Sequence, residues 1–278
     1  MRPVKIPLHI KHLWQPLTSI ETQIHVVKEG YAFLLKGKPD VSVIIPAYNE
    51  EENILRTLTS LVLNKTNFAV EIIVVNNNSV DNTENLLQAC NVNYINEAKQ
   101  GITAARNAGL QVAKGKYILN ADADAIYPSA WIDEMVKPLS ASKKTAVTYG
   151  RFSFLPTGKT GRFTYFFYEH MADLLRIINK NYKEEAVNVY GFNSGFKREQ
   201  GLAVNGFDHP PGTNEDGYLA LKLRDQGFGK MHYVTSPKAL VWVSDRRIQA
   251  DGGLLEATKK RFTRVFFSSR YKETRTDL

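Results

Sequence analysis

The stretch Lys116-Tyr-Ile-Leu-Asn-Ala-Asp-Ala-Asp124 limits the folds open to this chain more than any other. Its run from Tyr117 to Asn120 reads as a short buried strand, and it stops abruptly at two carboxylates one residue apart, Asp122 and Asp124. A strand of this kind belongs to an open α/β sheet, which places its ligands in the crevice beyond the carboxyl ends of its strands. Residues i and i+2 of an extended chain point the same way, so both Asp side chains are expected to face that crevice. Two like charges aimed at one crevice repel each other unless a cation sits between or beside them. A hard divalent ion carrying a diphosphate meets that need.

The sequence on either side supports such a sheet. Val41-Ser-Val-Ile-Ile-Pro46 reads as a buried strand, and Asn49 with Glu52 three residues later is a capping signal for the helix carrying Ile54, Leu55, Leu58, Leu61 and Val62. The unit repeats with strand Glu71 to Val75, the turn Asn76-Asn-Asn-Ser79, and a helix opened by Asp81 and Glu84. A third strand is expected over Val92 to Ile95, then a small-residue helix from Gly101 that Gly115 closes as a C-cap. This alternation predicts a Rossmann-like, mostly parallel sheet covered by helices on both faces.

Beyond Pro128 the pattern predicts a helix over Ala130 to Leu139, one strand or two over Thr145 to Phe154, and a long helix over residues 161 to 180. Phe163, Tyr165, Phe166, Phe167, Tyr168 and Met171 crowd the front of that helix and are expected to pack into the core, the alternative being a surface for the acceptor or a membrane. Asn214-Glu-Asp216 opens a helix from Gly217 to Gln226, and two strands follow at Met231 to Val234 and Leu240 to Val243.

Charge divides the 278 residues into three parts: a basic extension at 1–40, a body at 41–243 and a basic, aromatic tail at 244–278. The net charge of +8 resides at the ends, with 6 Lys/Arg against 3 Asp/Glu in residues 1–40 and 10 against 5 in residues 238–278. Basic flanks around a neutral body attract phosphates, whether of a nucleotide or of an anionic lipid. Pro16 interrupts any single helix in the extension, which is expected to pack on the body or on a membrane surface. Cys90 is the only cysteine, so no internal disulfide is possible and a reducing, cytoplasmic setting is expected, with at most peripheral attachment to the inner face of the membrane. The prolines of Met-Arg-Pro-Val-Lys-Ile-Pro break up any signal-peptide core, and no run reaches the length of a membrane span.

Taken together, these segments resemble the family-two glycosyltransferases of the GT-A fold. The resemblance rests on Val-Ser-Val-Ile-Ile-Pro-Ala-Tyr-Asn-Glu at 41–50, Ser79 and Asp81 after the second strand, Ala105-Arg-Asn-x-Gly109, Asp122-Ala-Asp124, Gly206-Phe-Asp208 and Glu215-Asp216, all in order. It implies a metal-dependent, inverting transfer from a nucleoside-diphosphate sugar. Asp122 and Asp124 would be the DXD pair that holds the ribose and a Mn2+ or Mg2+ ion. Asp216 would be the catalytic base, with Glu215 orienting it or the acceptor; as a carboxylate at a helix N-terminus, Asp216 is expected to be ionised.

The same resemblance puts Pro46, Tyr48, Glu50, Asn76, Asn77 and Arg106 at the donor nucleotide, and makes His232 a candidate third metal ligand. At Asn76 and Asn77 the chain departs from the family, whose second strand usually ends in Asp. Arg246 and Arg247 follow an apolar strand and are candidates to grip the diphosphate as bidentate donors. The acceptor would be a carbohydrate or a lipid-linked sugar, as in cell-envelope polysaccharide or glycolipid synthesis. The processive members' Gln-x-x-Arg-Trp signature is absent, which favours one sugar per encounter.

A dehydrogenase or a nucleotidyltransferase would want a glycine-rich loop after the first strand, where this chain has Ala47-Tyr-Asn-Glu50. No nucleic-acid-binding motif accompanies the positive charge. A non-catalytic nucleotide-sugar or carbohydrate binder of the same fold is the alternative that Asn76 and Asn77 leave open.

Overall fold

The computed structural model describes residues 2–250, 252–254, 256, 258 and 259. The expected basic and aromatic tail residues Lys260, Arg261, Phe262, Arg264, Phe266, Phe267 and Arg270 lie outside them. The chain opens with helices α1 (Leu8–Trp14) and α2 (Ile20–Leu34), separated at Pro16. The body then runs through β1 (Val41–Ala47), α3 (Ile54–Val62), β2 (Val70–Asn76), α4 (Thr83–Cys90), β3 (Asn93–Asn96), α5 (Ile102–Val112), β4 (Tyr117–Asn120), β5 (Ala125–Ile126) and α6 (Trp131–Ala141). It continues as β6 (Thr145–Gly150), β7 (Phe152–Leu155), α7 (Arg162–Tyr182), β8 (Ser194–Lys197), α8 (Arg198–Ala203), α9 (Glu215–Asp225), β9 (Lys230–Val234), β10 (Val241–Ser244) and α10 (Arg246–Ala250).

Seven strands form the main sheet in the order β3-β2-β1-β4-β8-β6-β9, with β8 antiparallel to both its neighbours and the other pairs parallel. Alternate residues of one strand serve two cores. Val43 and Ile45 of β1 and Ile72 and Val74 of β2 join the cluster containing α2, α3, α4 and α6, while Ile44, Ile73 and Val75 join the one beneath α5, α8 and α9. This is why these strands read as continuous apolar runs.

The sequence does not announce the second, three-stranded sheet β5-β10-β7. Between Thr145 and Phe154 the chain forms two strands, β6 in the main sheet and β7 in the small one. The pairing of β5 with β10 holds the segment after Asp124 against the C-terminal part of the chain.

Two local expectations are corrected. Asn49 does not cap α3: it takes a positive φ of 53°, its side chain accepts the Val80 N–H at 2.9 Å, and its own N–H donates to Ser79. Glu51 N–H likewise donates to Asp81, so Ser79 and Asp81 stitch the loop after β2 to the loop after β1. Gly115 is not the C-cap of α5; Ala113 is. The role of Gly115 is close approach: a Cβ there would lie 2.5 Å from Ser42 N and 2.6 Å from the Val41 carbonyl carbon. Its N–H donates to Ser42 Oγ at 2.8 Å and to the buried Glu71 carboxylate at 3.2 Å, anchoring the start of β4 to β1.

The aromatic front of α7 is only partly core. Tyr165, Tyr168, Ala172 and Leu175 are buried, whereas Phe163, Phe167, Leu174 and Ile177 are all more than half exposed. Composition alone could not separate the two sides of this helix.

Gly115→Ala forces backbone against backbone, so it is expected to cost about 1–3 kcal/mol, the range of an overpacked core. Urea denaturation measures this, and an unchanged midpoint would contradict the close-approach reading.

Candidate active site

The main sheet places its ligand crevice where strand order reverses around β1 and β4. A cleft of about 710 Å³ opens there, a volume typical of small-molecule sites. Pro46, Tyr48 and Glu50 line it from the end of β1, Asn77 from the end of β2, Arg106 from α5, Asp122 to Asp124 from beyond β4, and Glu215 and Asp216 from the start of α9. Arg247 closes one side.

Asp122 and Asp124 do share the cleft, though not by strand alternation, because β4 ends at Asn120 and the pair occupies the turn before β5. Buried side chains fix that turn. Thr57 Oγ lies 2.7 and 2.9 Å from the Ala123 and Ala125 carbonyl oxygens. The Tyr127 hydroxyl accepts the Asp122 N–H at 2.9 Å and donates to the Phe192 carbonyl at 3.2 Å.

Arg106 forms the electrostatic centre. Its guanidinium is buried and lies 3.0 Å from Asp122, 3.6 Å from Glu215 and 3.5 Å from Asp216. Gly191 makes room for it, since a Cβ there would run into both the Arg106 guanidinium and the Asp216 carboxylate. What the structure gives Arg106, expected at the nucleotide, is a set of ion pairs that tie the strand-end carboxylate to the helix-start pair.

The remaining carboxylates meet α10. Arg246 Nη2 lies 2.6 Å from Glu50 and 3.0 Å from Asp124, and Arg247 lies 3.9 Å from Asp122. These arginines are held in place by the buried Asp245, which accepts hydrogen bonds from Tyr165, Gln249 and the Thr157 N–H.

Two expected site residues are not where the sequence put them. Asn76 does not line the cleft; its amide donates to Asn96 at 2.8 Å and its oxygen accepts the Ser79 N–H. Asn77 lines the cleft, but its amide donates to the Glu97 and Lys99 carbonyls while its oxygen accepts the Gly101 N–H. Donation to two carbonyls is beyond a carboxylate, which gives a structural reason for Asn in place of Asp. His232 is exposed on the edge strand β9, outside the residues that line the cleft.

The helix N-terminus expected to keep Asp216 ionised is opposed by burial. Burial pushes its carboxyl well above the usual range; Arg106 opposes the shift, while Glu215 and Asp122 add to it. The helix N-terminus does not offset that desolvation. Asp124 and Glu50 are raised as well, burial being the first cause in each case. By contrast, Cys90 is a buried thiol pushed up to about 11, as an inert core residue should be.

Among the described residues no three His, Cys, Asp or Glu side chains converge on a ready metal cage. The donor set nonetheless suits a hard cation that arrives with a diphosphate, which takes one or two carboxylates from the protein and its other ligands from phosphate and water. When ionised, Glu50, Asp122, Asp124, Glu215 and Asp216 outnumber Arg106, Arg246 and Arg247 by two formal charges, the charge of one divalent ion.

Sequence reasoning missed Thr57, Tyr127, Gly191 and the cleft wall from Val189 to Phe192. The small residue within Gly191-Phe-Asn-Ser-Gly195 was the available signal for that wall.

A mostly parallel sheet with acidic strand and helix ends around such a cleft is the architecture of the GT-A fold. The chain belongs to glycosyl transferase family 2, whose family model matches residues 42–200. It is 34% identical to the uncharacterized glycosyltransferase YibD of Escherichia coli K12 over 133 residues, 46% of this chain and 38% of that protein. It is 32% identical to glycosyltransferase AglE of Haloferax volcanii over 162 residues, 55% of this chain and 52% of that protein. The matches thus span about half or less of those relatives' length. Among solved structures, the fold is similar to the mannosyltransferase PcManGT of Pyrobaculum calidifontis, solved with GDP-Man and Mn2+. The TM-score is 0.56 at 20% identity, covering 91% of this chain and 76% of that one.

Arg106→Met would leave buried carboxylates without their counter-charge, and is expected to destabilise the protein by about 3–5 kcal/mol near neutral pH. The loss should shrink as pH falls, because the orphaned carboxylates then protonate. Denaturant midpoints at pH 5 and pH 7.5 check both statements.

Proposed function

We propose that this chain transfers a sugar from a nucleoside-diphosphate sugar to an acceptor hydroxyl, with inversion at the anomeric carbon and with the help of a divalent ion. The observation that carries the proposal is the convergence of Asp122, Asp124, Glu215 and Asp216 on one cleft around a single buried guanidinium. Family membership and the fold shared with a GDP-Man and Mn2+ complex support it.

Pro46, Tyr48, Glu50 and Asn77 would form the nucleotide side of the cleft, with Tyr48 nearly half exposed and free to lie against a base. Asp122 would meet the ribose. Mn2+ or Mg2+, held by Asp124 and Asp122, would act as a Lewis acid toward the charge that gathers on the departing diphosphate. Arg246 and Arg247 would exchange their carboxylate partners for the diphosphate oxygens.

Asp216, oriented by Glu215 and Arg106, would take the proton from the acceptor hydroxyl. The acceptor oxygen bonds to the anomeric carbon as the bond to the diphosphate oxygen breaks on the opposite face, so a single displacement inverts the configuration. The acceptor would approach from the side of the cleft lined by Tyr190 to Phe192 and Thr213. A carbohydrate or lipid-linked acceptor, and contact of the basic flanks with an anionic membrane, belong to the same reading. Among the described residues no helix is long and apolar enough to cross a membrane.

A panel of sugar nucleotides with Mn2+ or Mg2+ tests the assignment by melting temperature and product analysis. A donor should stabilise the wild type only with the ion, and Asp124→Ala should abolish that shift. If no donor shifts melting under any condition, the assignment fails.

Asp216→Asn should keep the donor-induced shift while transfer falls roughly 10²–10⁴-fold, the usual worth of a general base. Because the base must be ionised and burial raises its pKa, transfer should decline on the acid side at a pH above the ordinary aspartate range. A pH–rate profile flat down to that range would argue against Asp216 as the base.

A further inference from the structure

We propose that the outer face of α7, together with the start of the N-terminal extension, docks on an anionic lipid bilayer. The inference extends the membrane contact proposed for the basic flanks to a defined surface, and it rests on that reading rather than on the transfer chemistry. Phe163, Phe167, Leu174 and Ile177 lie along one side of the 21-residue helix at 65, 58, 58 and 53% exposure, and Tyr182 at its end is 82% exposed. Phe163 and Phe167 pack edge to face at 4.9 Å, so they form a preassembled apolar ridge. A helix with such a ridge on one side and its polar groups turned away is built to lie in the interface of a membrane.

Charge decides which partner fits. The acidic residues of α7, Glu169 and Asp173, face inward: Glu169 pairs with Arg162 at 2.8 Å, and Asp173 with Arg2 at 2.6 Å and Arg176 at 2.5 Å. Outside stand Lys159, His170, Lys180 and Lys183, of which Lys180 also approaches Glu185 at 3.7 Å.

The extension continues the same surface. Arg162 Nη2 donates to the Pro3 carbonyl at 2.9 Å, setting the exposed Val4 and Lys5 near the Phe163 end of the ridge. Lys5 and Lys11 are exposed, Arg2 being turned inward, and residues 2–20 contain no Asp or Glu. An apolar ridge bounded by cations matches acyl chains beneath anionic headgroups. A second copy of the chain fits worse, because antiparallel pairing of the ridge would set Lys159 of one helix against Lys180 and Lys183 of the other.

Binding there would serve the cleft. From α7 the chain passes through a short 3-10 turn, Glu185–Asn188, directly into Val189 to Phe192 of the cleft wall. A bilayer under α7 would therefore lie near the acceptor side and present a lipid-linked acceptor to it.

The test is co-sedimentation of the full chain with phosphatidylcholine vesicles, with and without phosphatidylglycerol. The wild type should bind the anionic vesicles, and the double variant Phe163→Glu/Phe167→Glu should bind them at least about tenfold more weakly, having lost two apolar anchors. Its melting temperature and donor-induced shift should match the wild type, which separates failure of this proposal from failure of the transferase assignment. As a second measure, Phe167→Trp should gain fluorescence that brominated lipid quenches. The proposal is overturned if the wild type ignores anionic vesicles, if the double variant binds as tightly, if the new tryptophan escapes quenching, or if the double substitution instead dissolves a dimer seen by light scattering.

Discussion

A single buried guanidinium underlies the architecture of the site. Arg106 lies within 3.6 Å of Asp122, Glu215 and Asp216, which come from the end of a strand and the start of a helix almost a hundred residues later. Without a cation between them, three carboxylates could not share a water-poor cleft. With it, the strand-end carboxylate and the helix-start pair are held at one place before any ligand arrives. Gly191 is the steric counterpart of this arrangement, since any side chain at that position would occupy the space of the guanidinium.

Around that centre the molecule has two kinds of carboxylate. Asp122, Glu215 and Asp216 are paired by an arginine that is fully enclosed, whereas Glu50 and Asp124 are paired by Arg246, which is nearly half exposed on the last described helix. The first pairing is part of the core and the second is at the rim. A ligand bringing its own positive charge can replace a rim arginine at lower cost than a buried one, because the displaced guanidinium is rehydrated. The formal excess of carboxylate over arginine lies with Asp122, Glu215 and Asp216 around Arg106, whereas Glu50 and Asp124 at the rim are balanced by Arg246 and Arg247.

The order of strands and helices through the first half was legible because buried parallel strands leave short apolar runs and amphipathic helices leave a periodic face. Val41 to Pro46, Glu71 to Val75 and Tyr117 to Asn120 each became a strand of the main sheet. The acidic pair after β4, the helix opened by Asn214 and the cleft position of Pro46, Tyr48 and Glu50 were legible too, since each sits at the end of such an element. Local capping read less well. Asn49 and Gly115 carry the right residue types for caps, but cross-loop hydrogen bonding and close backbone packing, both non-local, assigned them other duties.

By itself, then, the sequence determined the layered α/β class, the family and most of the acidic side chains at the mouth of the sheet, because these depend on short-range pattern. Only the tertiary structure decided which partners those side chains have. Burial raised Asp216 against the effect of its helix terminus, packing turned Asn76 and His232 away from the cleft, and the inward pull of Arg2, Arg162 and Arg176 on Glu169 and Asp173 left an apolar ridge outward on α7. Charge state and exposure depend on what the rest of the chain brings within a few ångströms, and residue order does not encode that distance locally.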